Sequence, residues 1–220
     1  MTLPVAVLVS GRGSNLGALM AAREAGKLPI EFVLVASDKA DAPALRNAEA
    51  QGIPTLALDP KSYATRSAFD EALFARVAES GAELVVLAGF MRVIDAAVVD
   101  AWRGRIVNIH PSLLPKYRGL HTHRRAIAAR DAEHGASVHF VTAELDGGPV
   151  IAQARIPIQA GDDEETLAAR LLAQEHCLIV ACVDAIARGR VSLGNGTVHW
   201  NGAPVMQPLR LGAEGNLQPT

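Results

Sequence analysis

Short apolar runs alternate with longer amphipathic stretches through the first half of the chain. The runs hold few polar residues, and they are Leu3–Val9, Ile30–Ala36, Thr55–Leu58, Leu84–Leu87 and Ile106–Ile109. Strands without regular polar alternation are expected where helices cover both faces of a sheet, and strands alternating with helices are typical of parallel sheets. The pattern therefore predicts an α/β fold, with a doubly wound, mostly parallel sheet and helices on both faces.

The stretches between these runs have the spacing of helices. In the segment 67–80, Phe69, Leu73, Phe74 and Val77 form a stripe on one helix face, and Gly81 follows as a stop signal. We expect further helices over 15–25, 44–51 and 96–102.

Beyond residue 115 the pattern changes. We expect a helix near 122–130, two strands over 137–142 and 150–158, and a long helix over 163–188 followed by a short hairpin within 191–208. Because no Pro-, Gly- or Ser-rich linker divides the chain, we predict one domain over residues 1–210. The tail over residues 211–220 is rich enough in turn residues to be compatible with disorder.

The charge balance gives no global reason to expect nucleic-acid binding, since 21 Lys and Arg stand against 23 Asp and Glu. No apolar run approaches the roughly 20 residues that span a bilayer, and no signal peptide is evident. We therefore expect a cytoplasmic protein with neither a nucleic-acid nor a membrane partner. The sequence leaves both a monomer and a homodimer open.

A glycine loop, Ser-Gly-Arg-Gly-Ser-Asn over residues 10–15, joins the first strand to the first helix. Glycines let the backbone approach a ligand, and a helix N-terminus offers unpaired N–H groups to an anion. The loop lacks the Gly-Lys-Ser/Thr of a Walker A motif, and Leu16 stands where a dinucleotide fingerprint has a small residue. A phosphomonoester site is the preferred interpretation; a dinucleotide site using Asp38 and a plain turn stay open.

Asn108 and His110 lie at the end of the fifth apolar run, directly before Pro111. Residues two apart on a strand point to the same face, and proline cannot continue a central strand. The pair therefore projects where the chain leaves the sheet, which is the edge where α/β folds bind ligands. A strand cap with a turn-forming asparagine is the alternative.

Two other segments can reach this edge. The mostly apolar loop over residues 88–94 could form a slot for a flat ring, or be a plain connection. Asp146, held by Gly147, Gly148 and Pro149, supplies a carboxylate that would favour the protonated form of His110. Such a pair, with the Asn108 amide as a second donor, could stabilise a tetrahedral oxyanion.

No Ser or Cys stands in a nucleophile motif, which favours direct transfer over a covalent intermediate. A zinc site built from His110, His121 and His123 is imaginable, but the spacing matches no metal motif. We therefore expect no metal. A substrate contact or a structural role is the preferred interpretation of His121 and His123.

These motifs, in this order, resemble the folate-dependent phosphoribosylglycinamide formyltransferase family over nearly the whole chain. The most specific stretches are LAGFMR at 87–92, NIHPSLLPKY at 108–117, GLHTH at 119–123, and SVHFVT at 137–142 followed by ELDGGP at 144–149. The resemblance implies a Rossmann-like formyltransferase fold. It also implies transfer of a formyl group from 10-formyltetrahydrofolate to the amine of glycinamide ribonucleotide in purine synthesis.

The resemblance also assigns residues. It implies that Asn108, His110 and Asp146 are catalytic. It places the substrate phosphate on Gly13, Ser14 and Asn15, and the substrate ribose on Glu175. It places the folate against Asn108 and against five further residues, Arg66, Met91, Arg92, Val93 and Ile94.

Three rivals stay open. A tRNA formyltransferase is expected to add a C-terminal RNA-binding domain, and a formyltetrahydrofolate hydrolase a regulatory domain ahead of the glycine loop. The third rival is a non-catalytic nucleotide or folate sensor, which has no need of Asn108, His110 and Asp146 together.

Overall fold

The computed structural model describes residues 2–220, and their contacts divide them into two compact units. The first unit ends at Asn108 and the second begins at Ile109, so the boundary falls inside a strand. The predicted single domain over residues 1–210 therefore contains such a boundary. That the two units act as one domain stays a prediction.

The first unit alternates strands and helices along the chain. Its strands are β1 (Leu3–Val9), β2 (Ile30–Ser37), β3 (Thr55–Ala57), β4 (Leu84–Leu87) and the start of β5 (Ile106–His110). Its helices are α1 (Ser14–Glu24), α2 (Pro43–Glu49), α3 (Arg66–Glu79) and α4 (Ala96–Ala101), with a 3-10 turn at Pro60–Ser62.

The strands of the first unit are parallel and lie in the order β5-β4-β1-β2-β3. All four residues of β4 and the last five of β1 are buried, as expected for central strands covered by helices. The predicted mostly parallel α/β fold is confirmed. Because β1 and β4 are neighbours, the loops that follow them leave the same edge of the sheet.

The second unit continues with the end of β5 and two helices, α5 (Thr122–Ala128) and α6 (Glu164–Ala187). Its further strands are β6 (Glu133–Phe140), β7 (Val150–Pro157), β8 (Val191–Gly194), β9 (Thr197–Trp200), β10 (Ala203–Pro204), β11 (Leu209–Leu211) and β12 (Leu217–Gln218). Strand β7 pairs antiparallel with β6 and parallel with β11, and β8, β9 and β10 form a separate antiparallel sheet.

The structure differs from the sequence-based prediction at three places in this unit. Strand β6 begins at Glu133 instead of Ser137, because Gly135 allows a close strand approach: a Cβ there would lie 2.1 Å from the Ala154 carbonyl oxygen. The expected hairpin within 191–208 is three short strands. The tail, predicted as compatible with disorder, instead contains β12, which pairs with β11 and buries Leu217.

Helix α6 begins with a capping box between Asp163 and Thr166, and Glu164 and Glu165 place negative charge in its first turn. Among residues 2–220, it is the one helix whose length and apolar composition would allow it to cross a membrane. Its buried side chains include Leu167, Leu171 and Leu178, and the helix packs against β6 and β7. That packing accounts for the apolar composition.

Candidate active site

His110 and Asp146 lie close together in the second unit. His110 is the last residue of β5, and Asp146 lies in the loop between β6 and β7. The imidazole Nδ1 is 3.4 Å from Asp146 Oδ2, and both side chains are about nine-tenths buried. A charge pair withdrawn from water in this way interacts more strongly than a surface pair. The distance brings together two of the three residues that the resemblance assigns to catalysis.

The polypeptide fixes the position of Asp146. Its backbone has a φ of 47°, in the left-handed region that aspartate tolerates better than most residues. The Gly119 N–H donates to Asp146 Oδ2 over 2.8 Å. Gly148 cannot carry a side chain without disturbing the loop, because a Cβ there would lie 1.9 Å from the Phe140 carbonyl oxygen.

Both ring nitrogens of His110 face an oxygen. Nε2 lies 2.9 Å from the carbonyl oxygen of Tyr117. A carbonyl oxygen only accepts, so Nε2 carries the hydrogen of that bond. The contact of Nδ1 with Asp146 is an ion pair when Nδ1 is protonated as well. The two contacts therefore orient the ring and leave Nε2 as a nitrogen that donates a hydrogen.

A second imidazole, that of His139 in β6, faces the other oxygen of Asp146. Its Nε2 lies 3.7 Å from Asp146 Oδ1, and its Nδ1 is 2.9 Å from the Phe140 carbonyl oxygen. Burial lowers the pKa of His139, so burial favours the neutral ring. Sequence reasoning placed His139 in a strand but gave it no role. A signal was present in the sequence, because His139 stands two residues after Ser137, another polar residue in an apolar strand.

Asn108 is the third residue of β5 and is half-buried. It belongs to the first unit, where it is opposite Leu87 of β4 in the strand register. Strand alternation gives its side chain the same facing as that of His110, two residues further along β5. Its catalytic role stays a prediction.

The glycine loop of the first unit leads directly into α1. Gly13 precedes the helix with a φ of 74°, and a Cβ there would lie 2.5 Å from the Cβ of Ala44. No side chain among the described residues caps α1, so its first-turn N–H groups point out of the helix without one. Ser14 and Asn15 are the first two residues of the helix. This is the arrangement that binds phosphate at helix N-termini.

The loop after β4 is tied to the glycine loop within the same unit. The Ser10 N–H donates to the Gly89 carbonyl over 3.1 Å, and the Met91 N–H donates to Ser10 Oγ over 2.9 Å. Met91 and Val93 are exposed, whereas Ile94 is buried. The slot for a flat ring and the folate contact stay predictions.

Two arginines predicted to bind folate lie in the first unit. Arg92 places its guanidinium 4.8 Å from the centre of the Phe69 ring. Arg66 is the first residue of α3, where Thr65 caps the helix by accepting a hydrogen bond from Ala68 N. Their contact with folate stays a prediction.

Glu175, the predicted ribose contact, lies in the middle of α6 in the second unit and is half-buried. A role in ribose binding stays a prediction.

Two histidines of the imagined zinc site, His110 and His123, have other partners. His123 Nδ1 lies 3.0 Å from His134 Nε2, and His110 bonds as described above. Across residues 2–220, no group of three or more His, Cys, Asp or Glu side chains is arranged to hold a metal ion.

Known proteins are similar to this chain over most of its length. A model of the formyl transferase family matches residues 3–183. The phosphoribosylglycinamide formyltransferase of Escherichia coli (strain K12) is 47% identical over 189 residues, covering 86% of this chain and 89% of the relative. The trifunctional purine biosynthetic protein adenosine-3 of Gallus gallus is 42% identical over 197 residues, covering 89% of this chain and 20% of that protein.

The comparison with solved structures agrees with the family match. The solved phosphoribosylglycinamide formyltransferase of Coxiella burnetii superposes with a TM-score of 0.90 at 42% identity, with 98% of each chain covered. The family match runs across the boundary between the two units and includes the second unit up to residue 183.

Proposed function

The chain belongs to the formyl transferase family, and from that membership we propose how its residues act as a phosphoribosylglycinamide formyltransferase. The chain is an enzyme, a formyltransferase of purine biosynthesis that acts on small molecules. The donor in the proposal is 10-formyltetrahydrofolate, a co-substrate. The acceptor is the amine of glycinamide ribonucleotide, and the products are N-formylglycinamide ribonucleotide and tetrahydrofolate. No metal takes part.

The observation that carries the mechanism is the buried contact between His110 Nδ1 and Asp146 Oδ2 at 3.4 Å. The acceptor amine attacks the formyl carbon, a carbon–nitrogen bond forms, and negative charge develops on the formyl oxygen. That oxygen replaces the Tyr117 carbonyl as the acceptor of the His110 Nε2–H, and the Asn108 amide donates to it as well. Donors held in a water-poor site stabilise such an oxyanion more strongly than water does.

Asp146 keeps His110 charged and oriented through this step. The carboxylate is itself fixed by the Gly119 N–H, so it does not reorganise when charge develops on the substrate. The bond from the formyl carbon to the folate nitrogen then breaks. The proton lost by the attacking amine is passed to the leaving nitrogen, with Asp146 and water as its route.

The substrates bind at the sites that the resemblance assigns. The phosphate is held by the N–H groups of Gly13, Ser14 and Asn15, and the ribose hydroxyls by Glu175. The folate ring is held by the chain from Met91 to Ile94 together with Asn108, and a folate carboxylate by Arg66. A cytoplasmic location without nucleic-acid or membrane partners, as a monomer or a homodimer, belongs to the same proposal.

The proposal is tested by mixing the purified protein with 10-formyltetrahydrofolate and glycinamide ribonucleotide and following the absorbance of the deformylated folate. We expect a signal that requires both the amine and the protein. A signal independent of the amine would identify a hydrolase instead. Binding of both ligands without any product would identify a sensor.

A further inference from the structure

Asp70 is a buried acid that the proposed mechanism does not use. It lies on α3 within the apolar stripe of that helix and has 0% of its surface exposed. Its Oδ2 accepts a hydrogen bond from the backbone N–H of Asp95 over 2.8 Å. Its Oδ1 is buried and has no hydrogen-bond partner among the described residues.

The bond to Asp95 connects α3 to the end of the loop predicted to bind folate. We call residues 88–95 the folate loop. Ser67, one turn before Asp70 on α3, donates from Oγ to Asp95 Oδ2 over 2.6 Å. Asp95 in turn caps α4 by accepting from the Ala97 N–H. Two side chains of α3 therefore hold the same residue, one through its backbone and one through its side chain.

Asp70 also carries a charge close to the arginines of this region. Burial raises the pKa of Asp70, and the positive charges of Arg92 and Arg66 act against that rise. Among the described residues, the buried Nε of Arg92 has no hydrogen-bond partner, and its guanidinium lies over the ring of Phe69, the neighbour of Asp70. Arg92, which the folate loop carries, is therefore close enough to Asp70 for the two charges to interact.

A carboxylate at this position is costly for folding alone. Burying a charged group with one oxygen left unpaired is unfavourable, and an apolar side chain would continue the stripe formed by Phe69, Leu73 and Phe74. Among residues 2–220, the one side-chain hydrogen bond found for Asp70 is to the folate loop. Its position therefore fits a role in holding that loop better than a role in packing the helix.

We propose that Asp70 is a positioning residue for formyl-donor binding, which clamps the folate loop through the Asp95 backbone and orients Arg92 by its charge. The inference rests on the proposed function, because it assumes that this loop binds the folate. It predicts a selective effect: loss of Asp70 weakens binding of the formyl donor and leaves binding of glycinamide ribonucleotide unchanged.

Two substitutions separate the two contributions. D70L removes the acceptor and the charge while keeping the same branching and number of side-chain heavy atoms, and D70N removes the charge but keeps an acceptor oxygen for the Asp95 N–H. Since a hydrogen bond to a charged group corresponds to a factor of about ten or more, we expect D70L to raise the KM for the formyl donor at least that much. D70N recovers part of that loss, and S67A, which removes the second tether, gives a smaller increase.

The matched control is D100N, because Asp100 lies on α4 with an exposed side chain and pairs with Arg103 on the surface. We expect D100N to leave both KM values unchanged.

Thermal unfolding of each variant checks the fold, and S67A serves as the milder test if D70L does not fold. The inference is overturned if a folded D70L keeps the wild-type KM for the donor, or if both KM values rise equally. If D70L does not fold, an unchanged donor KM in S67A overturns the inference as well.

Calorimetric titration of the same variants with 10-formyltetrahydrofolate separates this inference from the proposed function. If the wild-type protein binds the donor but does not transfer its formyl group, the proposed function is contradicted. The dissociation constants of the variants for the donor then still decide the role of Asp70. Wild type that binds no folate overturns both.

Discussion

At the scale of single residues, the ring of His110 is held between two oxygens of different chemistry. The carboxylate of Asp146 faces Nδ1, and the Tyr117 carbonyl faces Nε2. The Tyr117 carbonyl is a neutral acceptor, so a substrate oxyanion can replace it. The Asp146 carboxylate is the stronger partner of a charged ring and stays in place. The geometry therefore assigns the two nitrogens different tasks, orientation to Nδ1 and donation to Nε2.

Substitution of His110 tests the donor. Removing one oxyanion donor costs about 2.7–4 kcal/mol, so we expect His110→Ala to lower kcat by roughly 10²- to 10³-fold. Circular dichroism and thermal unfolding should show a folded protein. His199→Ala, in the separate β8–β10 sheet, is the control and should leave kcat unchanged. Turnover of His110→Ala equal to wild type would show that the assignment is wrong.

Substitution of Asp146 tests the pairing. Asparagine tolerates the φ of 47° at this position and keeps an acceptor for the Gly119 N–H, so Asp146→Asn should fold. It removes the charge that favours the imidazolium, and we expect kcat to fall at least about tenfold, or 1.4 kcal/mol.

The double variant of His110→Ala and Asp146→Asn decides whether the two act as a unit. Residues that act together have strongly non-additive effects, so the double variant should lose little more than His110→Ala alone. Losses that multiply would mean that the two side chains act independently.

At the scale of elements, the turn from β1 into α1 depends on a glycine. In Gly13→Ala, the new Cβ meets Ala44 Cβ at 2.5 Å and the backbone is strained at a φ of 74°. We expect the KM for glycinamide ribonucleotide to rise and the KM for the formyl donor to stay constant, because the loop that moves is the phosphate loop.

The helix itself offers the control for this change. Gly17 lies inside α1 with no atom within 4 Å of a Cβ built on it, and its φ is not positive. Since glycine in a helix interior is less stable than alanine by roughly 0.5–1 kcal/mol, Gly17→Ala should keep or raise stability and leave both KM values unchanged. Equal kinetic effects of the two variants would contradict a phosphate-binding role of the turn.

The elements show which parts of the fold can be read from the sequence. The strands of the first unit are predictable because buried parallel strands are continuous apolar runs, such as Leu84–Leu87. The start of β6 is not, since Glu133 and Gly135 are poor strand residues whose pairing depends on close approach to β7. The strands β11 and β12 are too short to leave a periodic signal.

The active-site geometry is predictable only in part for a similar reason. Side-chain chemistry and the strand end bring forward Asn108, His110 and Asp146 as candidates. The partners that orient them are the Tyr117 carbonyl and the Gly119 N–H, groups that every residue type carries except for the N–H of proline. Asp70 did leave a signal, because it is an acid within an otherwise apolar stripe of α3.

At the scale of the whole molecule, buried histidines make stability depend on pH. Burial is the largest cause that lowers the pKa of His134, to about 4 from 6.5, and it lowers those of His123, His139 and His176 in the same direction. Between pH 6.5 and about 4, His134 binds a proton in the unfolded chain and stays neutral in the folded chain. Stability is therefore complete above pH 6.5 and falls as the pH falls toward 4.

Urea denaturation at pH 7.5 and pH 5 measures this dependence. His134 alone should contribute a loss of about 2 kcal/mol in the free energy of unfolding between the two. Because the pKa of Asp70 is raised, protonation of Asp70 increases the free energy of unfolding as the pH falls toward the acid end of this range. His134→Asn should show a smaller difference between the two pH values. Equal stability of the wild type at both would contradict the burial of neutral imidazoles.

The most direct test of the whole account follows the formyl carbon itself. With 10-formyltetrahydrofolate labelled with ¹³C in the formyl group, nuclear magnetic resonance of the reaction with glycinamide ribonucleotide should show the label in N-formylglycinamide ribonucleotide, with one tetrahydrofolate formed for each product. His110→Ala should form this product far more slowly. Label that accumulates as free formate, or that stays on the folate in the presence of the amine, would contradict direct formyl transfer at the His110–Asp146 site.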